Sequence, residues 1–203
     1  MSMELGIQIA MGLSVAACAG LRAFLPLLVV GLLGRFGYLE LNPAFAFLSR
    51  TDALIVFGLA TVVELLADKV VVVDHFLDGI ATFIRPVAGT LLAGSLLTHL
   101  DPLPAATLAL VVGGAPALTV HAGKSMARYK ASLLTPLHGG LGNTALSIGE
   151  DAVSGLGLWL AVVAPVFAAL LALVLIGFAV WLLVHFATVW KRWLAGRRSP
   201  EAG

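Results

Sequence analysis

Residues 53–75 read ALIVFGLATVVELLADKVVVVDH, an apolar run that passes directly into a charged stretch. The run Ala53–Val63 contains no charged side chain, and Glu64, Asp68, Lys69 and Asp74 then follow in quick succession. On a soluble protein such charges would lie at the surface. The composition of the chain argues against a soluble protein. The fold therefore has to explain why charged residues follow directly on an apolar run.

The composition is that of a membrane protein. Of 203 residues, 60% are hydrophobic and 11% are charged, and the mean hydropathy is +1.04. Soluble domains carry about 25% charged residues, so this chain lacks the charges to cover a water-facing surface. We therefore predict an all-α, polytopic membrane protein in contact with the lipid bilayer. The net charge of +1 and the absence of a basic, aromatic-rich run predict no nucleic-acid partner.

The single cysteine, Cys18, excludes a disulfide within the chain and a cysteine-based metal cluster. We expect no cofactor and no bound metal. The N-terminal apolar run has no preceding Lys or Arg, so we expect it to be a retained first helix rather than a cleaved signal peptide.

The apolar stretches predict about six membrane segments, because a spanning helix needs about 20 mostly apolar residues. Glycine and proline positions set the expected breaks within and between them. The segments are Leu5–Gly34 with a break near Gly20, Arg22 and Pro26; Asp52–Val73; Asp74–Leu97 with a turn at Arg85-Pro86; Ala105–Ala131, interrupted at Gly113-Gly114; Asn143–Ala164; and Val166–Trp193, after a hairpin at Pro165. An alternative for Asp74–Arg85 is an amphipathic helix lying in the membrane interface.

The order of residue types suggests an internal repeat within one membrane domain. Ala19-Gly20 precedes Arg22, and Ala122-Gly123 precedes Lys124; the next predicted segment in each half is acidic. Three segments in each half would invert the second half relative to the first, as in many transporters. The predicted halves are residues 1–100 and 101–194, followed by a short basic tail, 195–203. Chance similarity between two Ala/Gly-rich helices is the alternative.

The basic residues near the C-terminus predict the orientation. Lys191, Arg192, Arg197 and Arg198 place the C-terminus in the cytoplasm by the excess of positive charge on that side. With six crossings, the N-terminus would be cytoplasmic too. We expect a multi-pass protein of the bacterial cytoplasmic membrane.

The charged and polar residues of the predicted segments fall on helix faces. A charge in the bilayer centre costs at least about 2.5–3.5 kcal/mol, so these residues must face the protein interior, pair or reach water. We expect Lys124 and Arg128 to pack against Glu150 and Asp151, and Arg22 to pack against Glu64 and Asp68. The predicted solute- or ion-binding residues are Arg22, Glu64, Asp68, Lys69, Asp74, Asp78, Arg85, His121, Lys124, Arg128, Asn143, Ser147, Glu150 and Asp151.

Three stretches carry a resemblance to a known family. They are ELLADKVVVVDHFLDGIATFIRPVAG (Glu64–Gly89), HAGKSMAR (His121–Arg128) and NTALSIGEDAVS (Asn143–Ser154). With them the chain resembles the bacterial membrane proteins of domain-of-unknown-function family 4126 over nearly its whole length. The resemblance implies the architecture and supports the choice of site residues; it implies no activity or substrate.

These features favour a small transporter or permease, with proton coupling as one option. Glu64, Asp68, Glu150 and Asp151 would bind the ion or proton, and the basic residues would be counter-charges or contacts to an anionic solute. The alternatives are a lipid-handling or membrane-organising protein with structural ion pairs, and an enzyme acting on a lipid, for which no catalytic motif is present. The solute is not identified, and a homo-oligomer is left open.

Overall fold

The computed structural model describes the backbone of residues 2–67, 71–134 and 141–197, and the side chains of residues 3–67, 79–129 and 147–191. Over these ranges the chain is helical and contains no strand, so the all-α prediction is confirmed. The helices are α1 (Ser2–Leu21), α2 (Phe24–Arg35), α3 (Thr51–Ala67), α4 (Val71–Leu96), α5 (Pro102–Ala109), α6 (Ala115–Leu134), α7 (Leu141–Val163) and α8 (Pro165–Arg197). A 3₁₀ helix (Pro43–Ser49) precedes α3, and a π-helical turn (Leu110–Gly114) joins α5 to α6.

Several of these helices are suited to crossing a membrane. Within the described residues, four stretches are long and apolar enough: Met3–Leu21, Gly79–Leu96, Pro102–Tyr129 and Pro165–Lys191. A fifth results if the 3₁₀ helix and α3, which are bent by 59° relative to each other, form one broken span. The chain is a multi-pass membrane protein, and the described residues supply four or five spans where the sequence predicts six.

Helices α1 and α2 form a hairpin rather than one continuous span. Gln8 Nε2 donates to Thr98 Oγ1 at 2.8 Å, so the first turns of α1 lie beside the end of α4. Asn42 Nδ2 donates to the carbonyl oxygens of Leu97 and Leu100 at 2.7 and 2.9 Å, so the chain beyond α2 reaches the same end.

Chain length excludes a straight continuation of α1 into α2. Such a path would place Arg35 about 40 Å from the level of Gln8, at 1.5 Å per residue. The seven residues from Arg35 to Asn42 span at most about 25 Å, so α2 must turn back. The break predicted near Arg22 is confirmed, and the prediction of one tilted span over Leu5–Gly34 is wrong.

Helix α4 begins earlier than the sequence predicts and continues without the predicted turn. The predicted boundary between Val73 and Asp74 lies inside α4, because α3 ends at Ala67 and α4 begins at Val71. The predicted turn at Arg85-Pro86 is also wrong, since α4 continues through Pro86 to Leu96. A proline frees the carbonyl oxygen four residues earlier, here that of Thr82, and membrane helices tolerate this because neighbouring groups can satisfy the freed backbone.

Helix α1 lies at the centre of the bundle and contacts α4, α6, α7 and α8. Small residues allow this close packing: a Cβ added at Gly20 would lie 2.6 Å from the Ala117 carbonyl oxygen, and one at Gly89 would lie 2.6 Å from the Gly113 carbonyl oxygen. Such close backbone approaches are typical of helix contacts in membranes. They bring polar groups of α4 and α6 to the C-terminal end of α1.

The last two predicted segments match the structure closely. Helix α7 corresponds to Asn143–Ala164 and α8 to Val166–Trp193, and the two helices meet at Ala164 and Pro165 as predicted. The predicted interruption of Ala105–Ala131 is the π-helical turn, which contains Gly113 and Gly114.

Candidate functional site

The site is built around the break between α1 and α2. Helix α1 ends at Leu21 and α2 begins at Phe24, and Arg22 and Ala23 lie between them. Every helix end leaves backbone carbonyl or amide groups without partners in the helix. Inside a membrane protein these groups need partners from elsewhere in the structure, because the lipid offers none.

Glu64 of α3 caps the beginning of α2. Its Oε1 accepts a hydrogen bond from the Ala23 amide at 3.0 Å, and its Oε2 accepts one from the Phe24 amide at 3.2 Å. The N-terminal end of a helix carries partial positive charge, so an anionic cap is favourable there. Glu64 is therefore a cap held from a different helix, with its side chain only 12% exposed.

Two cationic side chains bind the other helix end at the break, the C-terminal end of α1. Arg85 Nη1 donates to the Gly20 carbonyl oxygen at 2.8 Å, and Lys124 Nζ donates to the Leu21 carbonyl oxygen at 3.0 Å. The end of a helix carries partial negative charge, which favours cations. The two helix ends at the break thus receive side chains of the opposite sign.

Arg85 links this break to His121 and Glu64. Arg85 Nη2 lies 3.6 Å from Glu64 Oε1, and Arg85 Nη1 donates to His121 Nδ1 at 2.8 Å. Since a guanidinium group is only a donor, Nδ1 must be the acceptor and His121 carries its hydrogen on Nε2. That nitrogen lies 3.2 Å from Thr82 Oγ1, to which it donates.

Glu150 of α7 binds two basic residues of α6. Its Oε2 lies 2.9 Å from Lys124 Nζ, and its two oxygens accept from Arg128 Nε and Nη2 at 3.2 and 2.8 Å. The two-pronged arginine contact is the strong geometry for a carboxylate. The predicted pairing of Lys124 and Arg128 with Glu150 is confirmed.

Arg22 binds α7 and not Glu64. Arg22 Nε donates to Asp151 Oδ1 at 2.7 Å, and Arg22 Nη2 donates to Ser147 Oγ at 2.9 Å. The predicted contact between Arg22 and Glu64 is wrong, because the Glu64 carboxylate is taken by the α2 amides and Arg85. The predicted contact with Asp68 lies outside the described side chains.

The three carboxylates that contact Arg22, Arg85, Lys124 and Arg128 differ in how firmly they are held. Glu64 and Glu150 are 12% and 10% exposed, and each accepts several contacts. The Asp151 side chain is 39% exposed and, within the described residues, makes one polar contact, with Arg22. Arg22 is only 1% exposed. Asp151 is therefore the carboxylate that can leave its partner most easily.

Nine of the predicted site residues lie together and form what we call the charged cluster: Arg22, Glu64, Arg85, His121, Lys124, Arg128, Ser147, Glu150 and Asp151. The side chains of Asp68, Lys69, Asp74, Asp78 and Asn143 lie outside the described residues. The sequence pattern did not predict that Thr82 and the carbonyl groups of Gly20 and Leu21 belong to the site. Thr82 was detectable, since it lies three residues before Arg85 on the same helix face.

One cavity borders the charged cluster, and a second begins about one helical turn from it. The first, of about 450 Å³, lies between α4, α6 and α8, and Thr82, His121 and Tyr129 form part of its wall. The other, of about 250 Å³, lies between α1, α7 and α8 and is lined almost entirely by apolar atoms. Within the described residues, no three His, Cys, Asp or Glu side chains are grouped to hold a metal ion.

The family assignment comes from a match over most of the chain. Residues 9–185 match the model of the family described as domain of unknown function (DUF4126). The chain belongs to the DUF4126 family. The matched range includes every residue of the charged cluster, so the cluster lies within the DUF4126 domain. No curated protein and no solved structure matches this DUF4126 chain.

Proposed function

We propose that this DUF4126 protein is a small proton-coupled transporter whose solute-binding site is the charged cluster. The observation that carries the proposal is the break between α1 and α2, where two helix ends meet charged side chains inside the bundle. Transporters bind solutes and coupling ions at such interrupted helices near the middle of the membrane. Arg85 lies near the middle of α4, 14 residues after Val71 and 11 residues before Leu96.

Asp151 is the proton-coupling group in this proposal. A carboxylate that gains a proton loses its attraction for arginine, so protonation would release Asp151 from Arg22. Asp151 is the most exposed of the three carboxylates in the charged cluster, and within the part of the chain that the structure describes it makes one polar contact. Glu64 and Glu150 instead hold helices together, because each binds groups from other helices.

Alternating access would use the two halves that the sequence predicts, residues 1–100 and 101–194. Arg22 and Lys124, which follow the two Ala-Gly pairs, both lie in the charged cluster, but α1 and α6 both run opposite to α4 and therefore run in the same direction, which does not support an inversion of the halves. Each contacts α7, through Asp151 and Glu150 respectively. We place the protein in the bacterial cytoplasmic membrane with its basic C-terminal tail in the cytoplasm.

The test asks whether water reaches position 151 from both faces of the membrane. Cys18 is the only cysteine, so the Cys18→Ser variant is a clean background for an Asp151→Cys probe. A charged, membrane-impermeant methanethiosulfonate reagent is applied to right-side-out and to inside-out vesicles. A transporter that alternates predicts labelling at position 151 in both preparations, because the site opens to each side in turn.

Two further probes serve as controls. Glu40→Cys, in the exposed connection after α2, should react in one vesicle orientation only, which verifies that the vesicles are sealed. Leu173→Cys, on the exposed apolar face of α8, should react in neither. Labelling of Asp151→Cys from one face alone, or from none, would show that the charged cluster is a structural network and would overturn the proposal.

A further inference from the structure

We propose that the solute is a monoanion with an alkyl chain, whose charged group binds Arg22 and whose chain occupies the cavity between α1, α7 and α8. This inference rests on the proposed transport function and names the substrate class of the same site. Three observations support it: the position of the cavity, the chemistry of its wall and the contrast between Arg22 and Asp151.

The cavity begins about one helical turn from the charged pair. Helices α1 and α7 run in opposite directions: Arg22 contacts Asp151, and four residues earlier Cys18 faces Gly157, where an added Cβ would lie 2.6 Å from Cys18 Sγ. Cys18, Val153 and Gly157 are part of the cavity wall. A molecule with its charged group at Arg22 would therefore need a chain of about one helical turn to reach past Cys18 into the cavity.

The wall of this cavity accepts only apolar groups. Among the residues that the structure describes, it contains no ionisable side chain apart from the Cys18 thiol, and α8 contributes Ala168, Leu171 and Ala172. The one hydroxyl group among these wall residues, that of Ser14, already donates to the Ala10 carbonyl oxygen at 2.6 Å. Transfer of an alkyl chain from water into such surroundings is favourable in proportion to the apolar area removed from water.

The charges at the end of the cavity favour an anion. Arg22 is buried and always charged, and its planar group matches oxyanions with two or three oxygens. When Asp151 binds one proton it becomes neutral, and the anionic group of the solute can take its place on Arg22. One proton and one monoanion then enter together, so the site gains no net charge and transport is electroneutral.

The experiment uses the purified full-length protein in sealed liposomes with an alkaline interior. Radiolabelled octanesulfonate is the probe, because a sulfonate stays ionised and does not cross the lipid as a neutral acid. Methanesulfonate has the same charged group without the chain. We expect saturable, pH-driven uptake of octanesulfonate, with a half-saturating concentration at least about a hundredfold below that of methanesulfonate.

Two variants of α8 test the location of the chain. Leu171 lines the cavity and is 46% exposed, whereas Leu173 is 53% exposed and does not line it. Leu171→Trp should reduce octanesulfonate uptake about tenfold by filling the cavity, and Leu173→Trp should leave it unchanged. The two variants make the same change on the same helix, so a general effect of the added bulk would appear in both.

The outcomes separate this inference from the proposed function. Equal uptake of the two sulfonates, no uptake of either, or equal effects of the two tryptophan variants would overturn the alkyl-chain site. Uptake driven by membrane voltage instead of the pH gradient would overturn the coupling of one proton to one anion. In each case, labelling of Asp151→Cys from both faces would still support transport through the charged cluster. Only the absence of labelling from one or both faces would refute the proposed transport function.

Discussion

Glu64 shows how one side chain can serve two helices at once. Its carboxylate caps α2 through the Ala23 and Phe24 amides and faces Arg85 of α4. A glutamine at this position could still accept a hydrogen bond but would carry no charge. The consequence is that the buried Arg85 would lose its contact with the Glu64 carboxylate.

Glu64→Gln should therefore lower the stability of the protein substantially. Removing one member of a buried ion pair costs about 3–5 kcal/mol, which corresponds to a fall in melting temperature of about 6–20 °C for a chain of this size. Thermal unfolding in detergent, followed by tryptophan fluorescence, measures this shift. An unchanged melting temperature would show that the Glu64–Arg85 contact contributes little.

The matched control is Asp52→Asn at the beginning of α3. Asp52 pairs with Arg50 at 2.9 Å, and both side chains are exposed. Exposed ion pairs contribute little because water and salt screen them. We therefore expect no measurable shift for Asp52→Asn, and a shift as large as that of Glu64→Gln would mean that loss of any carboxylate has this effect.

At the scale of the element, two of the three glycines of α4 have opposite surroundings. A Cβ at Gly89 would lie 2.6 Å from the Gly113 carbonyl oxygen, which is backbone and cannot easily move, whereas a Cβ at Gly79 would meet nothing within 4 Å. Gly89→Ala should destabilise the protein by about 1–3 kcal/mol through overpacking. Gly79→Ala should stabilise it by up to about 1 kcal/mol through helix propensity. The same melting measurement in detergent compares the two, and equal effects would contradict the close contact between α4 and the π-helical turn.

The elements that the sequence predicts well are those with a clear local signal. Pro165 divides one long apolar stretch into α7 and α8, and Gly113-Gly114 marks the π-helical turn. Pro86 misled the prediction because a proline in a membrane helix can be accommodated when nearby groups satisfy the backbone. The return of α2 toward the first turns of α1 depends on tertiary contacts of Asn42, for which no local pattern exists.

The same distinction, between local sequence signals and tertiary contacts, explains which parts of the charged cluster could be predicted. Helical spacing places His121, Lys124 and Arg128 on one face, and two of these residues bind Glu150 as expected. Spacing within a helix does not determine which neighbouring helix that face meets. The exchange of partners, with Arg85 at Glu64 and Arg22 at Asp151, therefore could not be predicted from the sequence. The binding role of these residues stays a prediction.

At the scale of the whole molecule, the hairpin of α1 and α2 makes a prediction about topology. Glu4, in the first turn of α1, and Glu40, in the connection after α2, are both exposed, and the contacts of Gln8 with Thr98 and of Asn42 with Leu97 and Leu100 hold them at one end of the bundle. In the Cys18→Ser background, Glu4→Cys and Glu40→Cys should therefore react with an impermeant thiol reagent in the same vesicle orientation. A continuous first span would place them on opposite faces, and reaction in opposite orientations would contradict the hairpin.

The pairing of Arg22 with Asp151 also imposes an order on biosynthesis. The two residues are 129 positions apart in the chain, and at about 5–20 residues per second the ribosome needs about 6–26 s to make the intervening segment. During that interval α1 has emerged, but its partner on α7 does not yet exist. The first hairpin must therefore be held by the insertion machinery or by provisional contacts, and a chain that stops before α7 is expected to be a target for membrane quality control.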